Sequence, residues 1–213
     1  MSRIACHSTR ETYVDINAVT IIDFWFGSEQ DDRAVADRQA ALWWSKNTAL
    51  DADMRERFAG ATRDAAAHAL DDWADTSAGL LALILLTDQF PRNMYRDTPQ
   101  SFAFDELARD WCKQGLHQGM HATLRPIERV FFYLPLEHSE SLADQDLAVS
   151  LFSELAAKAL PLHRTAFDGF YGFAIRHREV IRRFGRFPHR NHILGRDSTP
   201  EEIAFLQEKG SSF

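Results

Sequence analysis

Cysteine is scarce in this chain of 213 residues: there are two, Cys6 and Cys112, and no CxxC pair. That count leaves no room for the disulfide framework of a small secreted domain or for a cysteine-based zinc site, and it suits a reducing compartment. Ten glycines and seven prolines are too few to punctuate a sandwich of many short strands. Long apolar runs are missing as well. The longest, over residues 80–86, is far short of the roughly 20 residues that span a bilayer. The opening MSRIACHSTRETYVD lacks the apolar stretch of a secretory signal. It reads as a weakly ordered segment over 1–15, ahead of a single helical domain over 16–213. A cytoplasmic protein without membrane contact is expected. No P-loop, GxGxxG, GxSxG or HExxH occurs, so neither a cofactor nor a metal is indicated.

Aromatic side chains are plentiful, with sixteen Phe and five Trp. Charge is uneven. Residues 176–196 hold seven arginines, one acid and no lysine, a local +6 that leaves −13 of the net −7 to the rest of the chain. Guanidinium groups match carboxylates and phosphates through two parallel N–H donors, which a lysine cannot do. The acidic remainder and the missing lysines argue against nucleic acid as the partner.

Helical patterns run through the chain, and no convincing period-2 strand is present. Residues 17–26 place Val19, Ile22 and Phe26 on one stripe and end at Gly27. Helices are predicted over 31–45, over 51–73 with Asp51 as N-cap, and over 77–90 from a Ser cap to Pro91, the last apolar nearly all round and therefore central. Thr98-Pro99 restarts a helix to about Gly115. Residues 125–134 end at Pro135, and two long helices cover 141–159 and 164–184. Thr199 and Glu202 form a capping box for the last helix. The expected class is all-α, with antiparallel helix pairs in a solenoid-like or bundle-like array.

Chemistry-bearing residues cluster in four places. Asp88 sits where a helix should end, unfavourably for a carboxylate, and so calls for a cation such as Arg92, Arg96 or Arg190. His138 and Glu140 lie in the segment Tyr133 to Glu140 between helices, where an imidazole beside carboxylates can serve as a base or a ligand. Equally, Ser139 can cap the next helix with Glu137 and Glu140 as first-turn acids. His177 falls on the apolar stripe of its helix and should face inward. Finally, Phe187-Pro188-His189-Arg190-Asn191 echoes Phe90-Pro91-Arg92-Asn93 about 97 residues earlier, each followed by Arg-Asp and Thr-Pro. Two equivalent helix junctions related by pseudo-symmetry are expected.

The blocks LALILLTDQFPRNMYRDTPQSFAFD, FYLPLEHSESLADQD and HREVIRRFGRFPHRNHILGRDSTPEEIAFL, in that order, resemble the family called domain of unknown function 924. The resemblance begins near Ile16 and implies a tetratricopeptide-like helical fold of bacterial and some eukaryotic proteins, with no established activity. Residues and resemblance together suggest a site for a small carboxylate- or phosphate-bearing molecule. His138, Glu140, His177 and His189 are the acid/base candidates. Asp88, Arg92, Asn93, Arg96, Tyr133, Arg183, Arg186, Arg190 and Asn191 are the binding candidates. Two alternatives stand beside it: a peptide- or protein-binding module, and a purely structural Arg/Asp network.

Overall fold

A computed structural model describes residues 16–211. The segment 1–15, expected to be weakly ordered, and Cys6 lie outside the described residues. Those described form helices and turns without a strand, so the chain is all-α.

Local chemistry sets the helix starts. Asn17 and Thr20 make a reciprocal cap for α1, Ala18–Phe26, which stops at Gly27 with φ +69°. Its buried residues are Ile21, Trp25 and Phe26, while Val19 is 64% exposed, so the inner face is turned away from the predicted stripe. Asp31 caps α2, Asp32–Trp44. Helix α3, Thr48–Ala66, begins before Asp51 because the Asn47 side chain accepts from the Ala49 and Leu50 amides. It ends earlier than predicted and is followed by a 3-10 turn, Asp71–Asp75.

Helix α4, Ser77–Ile84, is capped by Thr76 rather than Ser77. As its composition predicts, it is central: every residue from 79 to 91 is buried. Pro91 does not stop it. A widened π turn, Leu85–Gln89, leads directly into α5, Phe90–Met94. In that turn the Phe90 amide reaches back to the Leu85 carbonyl, and Thr87 Oγ1 donates to the Leu83 carbonyl at 2.7 Å. Pro91 then falls in the first turn of α5, where no amide donor is needed.

A 3-10 turn, Pro99–Phe102, precedes α6, Asp105–His117, so the predicted restart at Thr98-Pro99 is 3-10 first and α later. Helix α7, Pro126–Glu137, continues through Pro135. The carbonyls at its end find other donors: the His138 amide reaches Leu134 at 2.8 Å, and Gln145 Nε2 donates to Glu137 and Ser139 at 2.6 and 2.7 Å. Helices α8, Leu142–Lys158, and α9, Arg164–Phe184, are antiparallel, since Asp146 near the start of one meets Arg178 near the end of the other at 2.5 Å. Gly185, φ +69°, closes α9, and the predicted capping box opens α10, Pro200–Leu206.

Rings fill the centre. Trp25, Phe58, Phe90 and Phe131 are fully buried and in mutual contact. Each such side chain contributes roughly 1.5–3 kcal/mol on burial. Trp43 joins this core and donates to the Trp25 carbonyl at 2.9 Å, whereas Trp44 is 55% exposed. Among the described residues no helix is long and apolar enough to cross a membrane.

Candidate functional site

The π turn places a carboxylate in the middle of the apolar helix. Asp88 is completely buried and has three side-chain neighbours. His138 Nδ1 lies 2.8 and 3.0 Å from its two oxygens, Gln89 Nε2 donates at 2.5 Å, and Arg92 Nη1 stands at 3.1 Å. Arg92 also donates to the Asp88 carbonyl at 2.7 Å and grips both oxygens of Asp105 at 2.8 and 2.9 Å. Burial acts to raise the Asp88 pKa, but the Arg92 and His138 charges and these bonds outweigh it and hold the carboxyl below the usual range. His138 moves down from the usual imidazole value, through burial and then Arg92, against the pull of Asp88. At neutral pH the pair is therefore an ionised carboxylate and a neutral imidazole.

A second carboxyl–imidazole pair lies behind the first. Glu137 Oε1 is 3.0 Å from His177 Nδ1, which also meets the Phe173 carbonyl at 3.0 Å. Both side chains are buried. Burial and the neighbouring Asp88 push Glu137 up to about 8 despite Arg176, and burial drives His177 well down. This pair is a protonated carboxyl and a neutral imidazole. The His138 and His177 rings are 6.3 Å apart.

Arg190 closes the cluster from the C-terminal segment. Its guanidinium lies between the Phe102 and Phe187 rings, at 4.8 and 4.4 Å, and is 6% exposed. Its acid is Asp105, at 3.4 Å, whose two oxygens Arg92 already holds. The buried Nε of Arg190 has no partner among the described residues. Burial, followed by Arg92, lowers its pKa to about 10. His189 packs on Phe187 at 5.6 Å, and burial with Arg190 and Arg92 brings it down to about 3. Glu140 accepts from the Phe187 amide at 2.8 Å and from Arg196 at 2.8 and 3.0 Å, so it fastens the segment that carries Arg190.

A family model described as a bacterial protein of unknown function, DUF924, matches residues 21–210. The chain belongs to the DUF924 family. Among solved structures it is similar to a protein of unknown function from Agrobacterium tumefaciens, with 38% identity, coverage of 89% of this chain and 96% of that one, and a TM-score of 0.75. A search of curated proteins finds no match. The DUF924 match spans every residue of the cluster.

Within this DUF924 chain the structure gathers Asp88, Arg92, His138, His177, His189 and Arg190, with Glu140 as a clamp. It takes the other candidates elsewhere. Asn93 donates to the Leu42 carbonyl at 3.1 Å, and Arg96 pairs with Asp51 at 2.6 Å and with the Ser45 carbonyl. Tyr133 is core against Phe152. Arg183 pairs with Glu201 at the surface, while Arg186 pairs with Glu202, which Asn191 also reaches. Ser139 does not cap α8 through its first-turn amides: its hydroxyl donates to Asp144 at 2.8 Å, and Glu137 ends α7 instead of starting α8.

The two Phe-Pro segments do meet, on Asp105, but they are not equivalent. Phe90-Pro91 is helical, because the helix before it runs on. Phe187 is extended, because Gly185 ends α9 two residues earlier, and only a 3-10 turn, Pro188–Arg190, follows. Two residues of the cluster escaped the sequence reading of the site, Asp105 and Glu137. Asp105 opens α6, where the dipole accounts for an acid without a site, and Glu137 was expected as a first-turn acid of the following helix but ends α7 instead.

Proposed function

We propose that the cluster binds a small carboxylate- or phosphate-bearing molecule through Arg190. The observation that carries this reading is the state of that side chain: buried, clamped between two rings, served by one shared acid, with its Nε donor unused among the described residues. A buried guanidinium short of acceptors gains most from an incoming oxyanion, since charge-assisted bonds are about twice as strong as neutral ones. The sequence suggested a broad arginine field. The pairing of Arg96, Arg183, Arg186 and Arg196 with their own acids narrows it to Arg190, with Arg92 behind it.

The same pairing supports a second reading, a structural network that joins helix ends without a ligand. A thermal-shift series with phosphate, sulfate and small mono- and dicarboxylates separates the two. An anion at a hundred times its dissociation constant adds about 2.7 kcal/mol to stability. We expect such a rise for at least one anion in the wild-type chain and none in Arg190→Met. An unchanged midpoint across the whole series leaves the network reading standing alone.

A further inference from the structure

His138 has one ring nitrogen that no described residue uses. Its Nδ1 is committed to Asp88 at 2.8 and 3.0 Å. An ionised carboxylate only accepts, so the proton between them sits on Nδ1, and Nε2 is the lone-pair nitrogen. The ring's hydrogen bonds to described residues are both on Nδ1, which leaves Nε2 unengaged by them, and the side chain keeps 14% of its surface exposed. A carboxylate that fixes an imidazole in this tautomer is the arrangement that prepares a general base. The nearby described nucleophiles are engaged or unreactive. Ser139 Oγ donates to Asp144, and burial pushes the Cys112 thiol far above its usual range. The other carboxyl, Glu137, faces His177 inside the protein and not the solvent. What remains is one open base and one cationic fork. Such a pair suits removal of a proton from carbon beside a keto group, with the fork on the neighbouring carboxylate and on the oxygen that becomes charged.

We propose that His138 is the general base of this site, held in its basic tautomer by Asp88, and that the molecule bound at Arg190 is a small keto carboxylate with an exchangeable C–H. The proposal rests on the anion-site reading. In the step, the C–H bond breaks and the proton passes to Nε2. The electron pair moves onto the keto oxygen, and Arg190 stabilises the resulting enolate. Return of the proton completes an exchange or an isomerisation, with no oxidant, reductant or further reactant. Asp88 is a positioning residue: it is completely buried and acts on the step through His138.

The test follows the C3 protons of pyruvate and 2-oxoglutarate by proton NMR in D2O with the full chain, while saturation transfer reports binding of the same two probes. We expect at least a hundredfold faster deuterium uptake than in buffer, and a fall to the buffer rate in His138→Gln, within the usual reach of general-base catalysis. Asp88→Asn should keep binding but displace the pH profile of exchange. Since that variant removes a buried partner of Arg92, nitrogen NMR of wild-type His138 gives a measurement that needs no substitution: a proton on Nε2 instead of Nδ1 overturns the proposal. Binding of a keto acid without His138-dependent exchange overturns the base and leaves the anion site intact. Binding of phosphate but of neither keto acid overturns the ligand class. If neither probe nor any inorganic anion binds, the anion site itself fails.

Discussion

Arg96 and Arg183 show how far the meaning of one arginine depends on its partner. Arg96 reaches Asp51 with two nitrogens, at 2.6 and 3.2 Å, and the acid is 11% exposed. Removing the cation leaves Asp51 desolvated and uncompensated. Arg96→Ala should therefore cost about 1–3 kcal/mol in urea unfolding without changing anion binding. Arg183 and Glu201 are 41% and 64% exposed, and their pair is screened by water. Arg183→Ala should shift stability by no more than about 0.5 kcal/mol. A loss of anion binding in either variant would return that arginine to the site.

Helix interiors contain glycines of opposite consequence. Gly115 in α6 is buried, and a methyl group there would come within 2.5 Å of both Leu80 and Phe132. The helix gains up to about 1 kcal/mol from replacing glycine by alanine, but overpacking a filled core costs roughly 1–3 kcal/mol. Gly115→Ala should thus destabilise, because neither a central leucine nor a buried ring can give way cheaply. Gly169 in α9 is exposed, and nothing lies within 4 Å of the added atom. Gly169→Ala should stabilise by about 0.5–1 kcal/mol, its helix propensity unopposed. Midpoints from thermal melts at one pH rank the two against wild type, and the reverse order would contradict the packing of α4, α6 and α7. At this scale the sequence is most legible where chemistry is local. The Thr199–Glu202 capping box forms as predicted because its two partners are three residues apart. Pro91 and Pro135 mislead because the devices that accommodate them, a π turn and a glutamine ten residues on, are invisible to local rules.

At the scale of the molecule, Glu137 and the imidazoles of His138, His177 and His189 oppose one another in pH. Glu137 has a folded pKa raised to about 8, so the stability it allows is complete below its unfolded value and is lost as pH rises toward 8. His138, His177 and His189 have folded values below their unfolded one, so their contribution is lost as pH falls below about 6.5. Below that point the unfolded chain binds more protons than the folded one, because three imidazoles outnumber one carboxyl, and stability rises with pH. Above it Glu137 prevails and stability falls toward pH 8. Urea unfolding across pH 5–9 should therefore peak near 6.5. Glu137→Gln, which keeps the shape and removes the proton, should flatten the alkaline side. A wild-type curve that climbs through pH 8 would show that Glu137 is ionised in the fold.

The sequence by itself determined the all-helical class, the central place of the apolar helix, the inward turn of His177 and the acid–arginine chemistry of the C-terminal segment. These follow from spacing within one helix or from composition, and both act over a few residues. Tertiary structure decided which acid each arginine takes. Asp105 receives Arg92 from 13 residues away and Arg190 from 85, and Asp88 receives His138 from 50. Pairings over such distances depend on how helices pack, and packing here turns on one extra residue in the π turn that aims Asp88 into the core. That is why many arginines looked alike in the sequence, while in the fold Arg190 shares its acid with Arg92 and its buried Nε has no partner among the described residues.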